Sequence, residues 1–243
     1  MNKIVEVCCG SYYDAKQAYE GKAKRIELNS ALSLGGLTPS LATLLQVKEN
    51  TDLEVICMVR NRGAGFLYEQ EDRETIFRDA KILLENGADG IAFGFLNADK
   101  SVDVENTKAM VELIHSYGKC AVYHRAIDVS NDIFAAFERC VECGVDRILT
   151  SGGCIKAVEG VSIIRKLQET YKDRIEILAG CGINEENASY VMDNTGISQI
   201  HSSCKDFIHD VTSSNFGVNF SYGETNKYEV VSKEKVEQLL ASI

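Results

Sequence analysis

Apolar residues change their spacing repeatedly along this chain. Short runs that are apolar at nearly every position, or at every second one, alternate with longer stretches in which apolar residues recur every three or four positions. The first pattern marks buried strands and the second marks amphipathic helices. It predicts strands at Ile4–Cys8, Arg25–Asn29, Leu53–Arg60, Gly90–Gly94, Cys120–Arg125, Arg147–Ser151, Ile175–Gly180 and Ser198–Ser202. Helices are predicted between them, at Tyr12–Glu20, Ser40–Glu49, Arg73–Asn86, Asp103–Tyr117, Asp132–Cys143, Val158–Tyr171 and Glu185–Asp193. Gly21, Gly87, Gly118 and Gly144 stand where four helices stop, and glycine suits the left-handed position that ends a helix.

Eight strands alternating with helices favour a closed TIM (β/α)8 barrel over an open doubly wound sheet. The turn after the first strand, Cys8-Cys9-Gly10-Ser11, also lacks the glycine pattern of a dinucleotide-binding fold. Residues 1–243 are expected to form one domain, with 204–243 as a long final loop and a closing helix at Lys233–Ser242. Polar stretches at Asp210–Asn215 and Gly223–Lys227 support the loop.

Composition narrows the possible partners. The net charge of −10 disfavours nucleic acid and anionic membranes. No apolar run approaches the ~20 residues of a membrane span. Glu6 interrupts the apolar start, so no signal peptide is expected there and a cytoplasmic location follows. Nine cysteines are scattered through apolar segments, which suits buried free thiols in a reducing compartment. Cys140-x-x-Cys143 has no matching ligand pair for zinc.

Alternation along the strands selects the residues that point into the barrel. These are Glu6 and Cys8, then Arg25, Glu27 and Asn29, then Met58 and Arg60, and finally Gln199 and His201. Barrel sites form at strand C-termini. Glu27 beside Arg60 is expected to stay ionised, with its pKa lowered. His124, Arg125 and Asp128 after the fifth strand offer a proton shuttle, an anion clamp and an orienting carboxylate. Ser151-Gly152-Gly153, Gly180-Cys181-Gly182 and His201-Ser202-Ser203 follow the last three strands, where backbone N–H groups can approach a phosphate, carboxylate or sulfate. Cys8 is the one thiol expected to face the site; with a second soft donor it would suit copper(I). His115 and His209 read as solvated.

Glu6-Val-Cys-Cys9, Arg25-Ile-Glu-Leu28, Gly35-Gly-Leu-Thr-Pro-Ser40, Arg60-x-Arg62-Gly63, His124-Arg-Ala-x-Asp128, Asp146-Arg-Ile-Leu-Thr-Ser-Gly-Gly153 and Ile200-His-Ser202 together resemble the CutC family, over about residues 3–203. The resemblance implies a cytosolic barrel linked to copper homeostasis, forming homodimers or larger homo-oligomers. It also implies two copper(I)-binding cysteines. Cys8 matches the first, while Asn29 stands at the second. Where the family has Arg-Pro-Arg-Gly-Gly-Asp-Phe, this chain reads Arg60-Asn-Arg62-Gly-Ala-Gly-Phe66 and lacks the carboxylate.

Three functions follow as expectations. The first is copper(I) handling through Cys8. The second is an enzyme acting on a small anionic molecule such as a sugar phosphate. In it Glu27, His124 and Asp128 are the catalytic candidates. Glu6, Arg60, Arg62, Arg125, Ser151, Gly152, Gly153, Gly180, Gly182, His201 and Ser202 line the ligand site. The third is a ligand-binding module without catalysis.

Overall fold

A computed structural model describes residues 3–221 and 226–243. Eight parallel strands close into a barrel in chain order, with the last beside the first. They are β1 (Ile4–Cys9), β2 (Arg25–Leu28), β3 (Glu54–Met58), β4 (Gly90–Phe93), β5 (Cys120–Tyr123), β6 (Arg147–Thr150), β7 (Glu176–Ala179) and β8 (Gln199–Ser202). The helices α1 (Tyr12–Glu20), α2 (Leu41–Asn50), α3 (Gln70–Glu85), α4 (Val104–Ser116), α5 (Ile133–Glu142), α6 (Val161–Tyr171) and α7 (Ala188–Thr195) follow the first seven strands. The chain is therefore a TIM barrel, as its hydrophobic spacing predicts.

Local chemistry sets the element ends. Ser11, Ser40, Asp103 and Asp132 cap α1, α2, α4 and α5 by accepting a backbone N–H of the first turn. Gly87, Gly118 and Gly144 do take left-handed φ, at +96°, +66° and +81°. Gly21 does not: its φ is −74°, and Lys22 turns left-handed instead. Glycine is needed at 21 for space, because a Cβ there would lie 2.8 Å from the Val236 side chain. Asp89 and Asp146 share a third device. Each precedes a strand, and its carboxylate accepts an N–H of the preceding strand, Val55 at 3.0 Å and Ala121 at 2.7 Å.

The core has two parts. Outward residues such as Val5, Val7, Ile26, Leu28, Val55 and Cys57 are buried under the helices. Inside the barrel, Ile56, Met58, Ala92 and Val122 form a small apolar cluster against β3, β4 and β5. The side formed by β8, β1 and β2 carries buried Glu6, Arg25, Glu27 and Gln199 instead. All nine cysteines are free. Among the described residues, no helix is long and apolar enough to cross a membrane.

The segment expected as a long final loop is largely a β-ribbon. Strand β9 (Lys205–His209) pairs antiparallel with β12 (Lys227–Val231). Between them, β10 (Ser214–Asn215) pairs with β11 (Val218–Asn219). The polar stretch Gly223–Lys227 lies in part outside the described residues. Helix α8 (Lys233–Ala241), capped by Ser232, then closes the outer layer against α1. Buried Asp14 ties the ribbon to the barrel. One of its oxygens accepts the Gly10 N–H and the other the Val231 N–H, both at 2.9 Å. Asp14→Ala leaves two amides without partners and is expected to cost about 1–3 kcal/mol each at most. Amide exchange at Val231 should accelerate sharply in that variant. Unchanged exchange there would show that the ribbon is held by other contacts.

Candidate functional site

The strand C-termini open on a cavity of about 480 Å³. Parallel pairing sets Glu6 level with Arg25 on one side and His201 on the other, and Cys8 level with Glu27. Because these residues share the inward face, their side chains meet. Glu6 Oε2 lies 2.8 Å from Arg25 Nε, and Glu6 Oε1 lies 2.9 Å from His201 Nδ1. Arg25 Nη2 donates to Gln199 Oε1 at 2.6 Å. Burial opposes the charge on Glu6, but the His201 hydrogen bond and the Arg25 guanidinium outweigh it and hold the carboxyl down at about 2. Burial likewise opposes charge on His201. Hydrogen bonds to Cys8 and Glu6, together with the Glu27 charge, outweigh it and push the imidazole well above its ordinary value.

Above this chain of charges, Cys8 Sγ, a Glu27 oxygen and a His201 ring nitrogen lie within 4.8 Å of one another. Nδ1 of His201 is committed to Glu6, so Nε2 is the nitrogen left for this cluster. Asn29 completes it: its Nδ2 lies 3.6 Å from Cys8 Sγ and donates to Glu27 Oε2 at 2.9 Å. Burial pushes up both the Cys8 thiol and the Glu27 carboxyl. The expected ion pair between Glu27 and Arg60 is not formed among the described residues, and the Glu27 carboxyl moves in the opposite direction from that expectation.

Arg60 is a loop staple more than an anion clamp. Its Nη1 donates to the carbonyls of Leu34, Gly35 and Gly36 at 3.1–3.3 Å, and Nη2 to the Ala64 carbonyl at 2.5 Å. The guanidinium also sits 5.0 Å over the Phe66 ring. Only Nε lacks a partner. His124 lines the same cavity and is 3% exposed. Its Nδ1 accepts the Ala126 N–H at 3.1 Å, while Nε2 is buried without a partner. Burial, and then the positive charges of Arg60 and Arg125, lower His124 to about 3. It is thus a neutral ring with its hydrogen on Nε2, set among positive charges that oppose its protonation. Gly94 makes room for it, since a Cβ there would lie 2.5 Å from His124 Cε1.

Asp128 occupies the glycine loop after β6. Its oxygens accept the N–H groups of Ser151 and Gly153 at 3.0–3.1 Å and the hydroxyls of Thr150 and Ser151 at 2.5 and 2.9 Å. Arg125 bridges Asp128 and Ser151, at 2.8 and 2.9 Å. The anion expected at this loop is therefore supplied by the chain itself. Gly152 serves packing, with its Cβ position 2.8 Å from the Gly160 carbonyl. Gly180 is pressed against Leu149 and His201. Gly182 and Ser202 line a separate, smaller cavity. Arg62 does not line the main cavity: it binds Asp72 at 2.8 Å and stacks on Tyr68. In the sequence Cys8 stands as a lone soft donor; the fold joins it to His201 and Glu27. The signal was present in strand register, which needs the barrel's stagger to be read.

A profile of the CutC family matches residues 3–206. A CutC family protein of Treponema denticola is 48% identical over 200 residues, covering 82% of this chain and 80% of that one. The human copper homeostasis protein cutC homolog is 36% identical over 202 residues, covering 83% of this chain and 73% of that one. The crystal structure of CutC from Streptococcus agalactiae aligns with a TM-score of 0.77 at 27% identity, covering 83% of this chain and 98% of that one.

The buried neutral His124 makes stability depend on pH. Its value is about 3 when folded against an ordinary 6.5, so across that window the unfolded chain binds the extra proton. This contribution is complete above the ordinary value and falls by about 1.4 kcal/mol per pH unit below it. His124→Asn keeps an acceptor for the Ala126 N–H and removes the titration. Urea unfolding of both proteins between mildly acidic and neutral pH should show wild type losing stability more steeply as pH falls. Parallel curves would contradict the assignment.

Proposed function

The chain belongs to the CutC family, and from that membership we propose that it is a copper-handling barrel that takes copper(I) as cargo at Cys8, Glu27 and His201. The observation that carries this reading is the meeting of a thiol, an imidazole and a carboxyl from three strands within 4.8 Å. A thiolate and an imidazole are donors that copper(I) favours. His201 Nδ1 bonds a carboxylate, Glu6, as imidazoles that ligate metals usually do, and that partner aims Nε2 at the cluster. Cys8 and His201 would bind the ion, with Glu27 as the third neighbour.

The protonation pattern gives the binding its pH dependence. The Cys8 thiol is raised by burial, and the His201 ring holds its proton through Cys8 and Glu6. Copper(I) must displace these protons, so loading releases them and tightens as pH rises. Asn29, at the position of the family's second cysteine, adds a hydrogen bond toward sulfur but no soft ligand.

A second reading, an enzyme acting on a small anionic molecule, is favoured by His124. Its ring lines the same cavity as the three donors, and its Nε2–H is buried with no acceptor among the described residues.

An anaerobic copper(I) titration against a competing chelator tests the first reading. Wild type should bind one ion, and Cys8→Ser should weaken binding at least roughly a hundredfold. Glu6→Gln should weaken it roughly tenfold or more through His201. Asn29→Cys, which puts a second thiol beside Cys8, should tighten it. Equal, weak binding by wild type and Cys8→Ser would remove the copper reading.

A further inference from the structure

We infer that the chain has a second binding site, for the phosphate group of a small phosphate monoester, between the loops after β7 and β8 and the flank of α8. A cavity of about 240 Å³ lies there, separate from the copper cluster, lined by Gly182, Ile183, Ser203 and Lys235 among others. Among the described residues, the backbone N–H groups of Gly182, Ile183 and Ser203 donate to no protein acceptor. These donors are free to take a ligand oxygen. The Lys235 ammonium is fixed at this cavity by one hydrogen bond, to the Lys205 carbonyl at 2.6 Å, which leaves two of its three donors for an anion. Cys181 and Gly182 both adopt left-handed φ, +82° and +73°, which turns the chain sharply after β7.

The loop after β6 is the internal comparison. There too the sequence has a glycine turn with amides and hydroxyls, but Asp128 accepts from the Ser151 and Gly153 amides and the Thr150 and Ser151 hydroxyls, and the Gly152 amide donates to Thr150 Oγ1. Glu185 is the one carboxylate at the β7–β8 cavity; it is exposed and accepts none of those three amides. The chain thus fills one glycine loop with its own anion and leaves the other open. Three amides and an ammonium suit a tetrahedral dianion, which accepts several charge-assisted hydrogen bonds at once. The organic part has a place to go, because Lys205 borders both this cavity and the larger one holding Glu27, His124 and His201. A phosphorylated small molecule would therefore lie with its phosphate over β7 and β8 and its body toward the barrel axis.

The test is a titration of the metal-free, 15N-labelled full chain at constant ionic strength with glycerol 3-phosphate, inorganic phosphate and glycerol. Expected are saturable amide shifts centred on Gly182, Ile183 and Ser203 with both phosphates, tighter for glycerol 3-phosphate, and none with glycerol. Lys235→Gln should raise the dissociation constant roughly tenfold or more. Glu185→Gln should lower it, which a general loss of folding cannot mimic. The titration contains no copper, so failure here and failure of the copper reading are separately visible. Shifts that do not saturate, shifts centred elsewhere, or an unaltered constant in Lys235→Gln would overturn the site. Equal affinity for the two phosphates would overturn the monoester.

Discussion

The buried line Gln199–Arg25–Glu6–His201 is the constraint around which the working end of this barrel is arranged. Each contact in it is 2.6–2.9 Å long, and Glu6 and Arg25 are almost fully enclosed. Removing one partner of such a pair costs about 3–5 kcal/mol, because the other charge is left buried alone. An apolar filling in the style of Ile56, Met58, Ala92 and Val122 would do as much for stability. What it would not do is fix the His201 ring with Nδ1 on a carboxylate and Nε2 toward Cys8. The charge line therefore makes most sense as a positioning device. It sets one imidazole nitrogen against one thiol, with Glu27 alongside.

Carboxylates do the positioning elsewhere as well. Asp89 and Asp146 hold strand amides at the other end of the barrel, and Asp14 locks the ribbon to β1. Asp128 fills the loop after β6 and draws Arg125 over Ser151. Charged residues that look available for ligands in the sequence are thus spent on the scaffold. Arg60 and Arg62 are the clearest cases, tied to loop carbonyls and to Asp72. Among the described residues, the groups left open at the strand ends include the Cys8, Glu27 and His201 donors, the buried His124 Nε2–H, and the amides beside Lys235.

The barrel was readable because hydrophobic spacing is a local signal, and most strand limits fall within a residue or two of their predicted positions. So was the inward set Glu6, Cys8, Glu27, Asn29 and His201, which follows from simple alternation. The ribbon at β9 and β12 was not readable, because its strands are mostly exposed and carry no core-facing pattern. Pairing was harder still. Alternation says which face a residue occupies but not its height, so Glu27 was matched to Arg60 on the neighbouring strand. In the fold it meets Cys8, its register partner. Charge sign misled in the same way: burial decides the Glu27 carboxyl, and no guanidinium stands close enough to offset it. Gly21 shows the third limit, since the collision it avoids is with Val236, far along the chain.

X-ray absorption at the copper edge of the anaerobically loaded protein examines the Cys8–His201 pairing most directly. One sulfur and one imidazole nitrogen in the first coordination shell, with the sulfur lost in Cys8→Ser and the nitrogen lost in His201→Ala, is the expected result. A shell without sulfur in the wild-type protein, or one unchanged by either substitution, would contradict it.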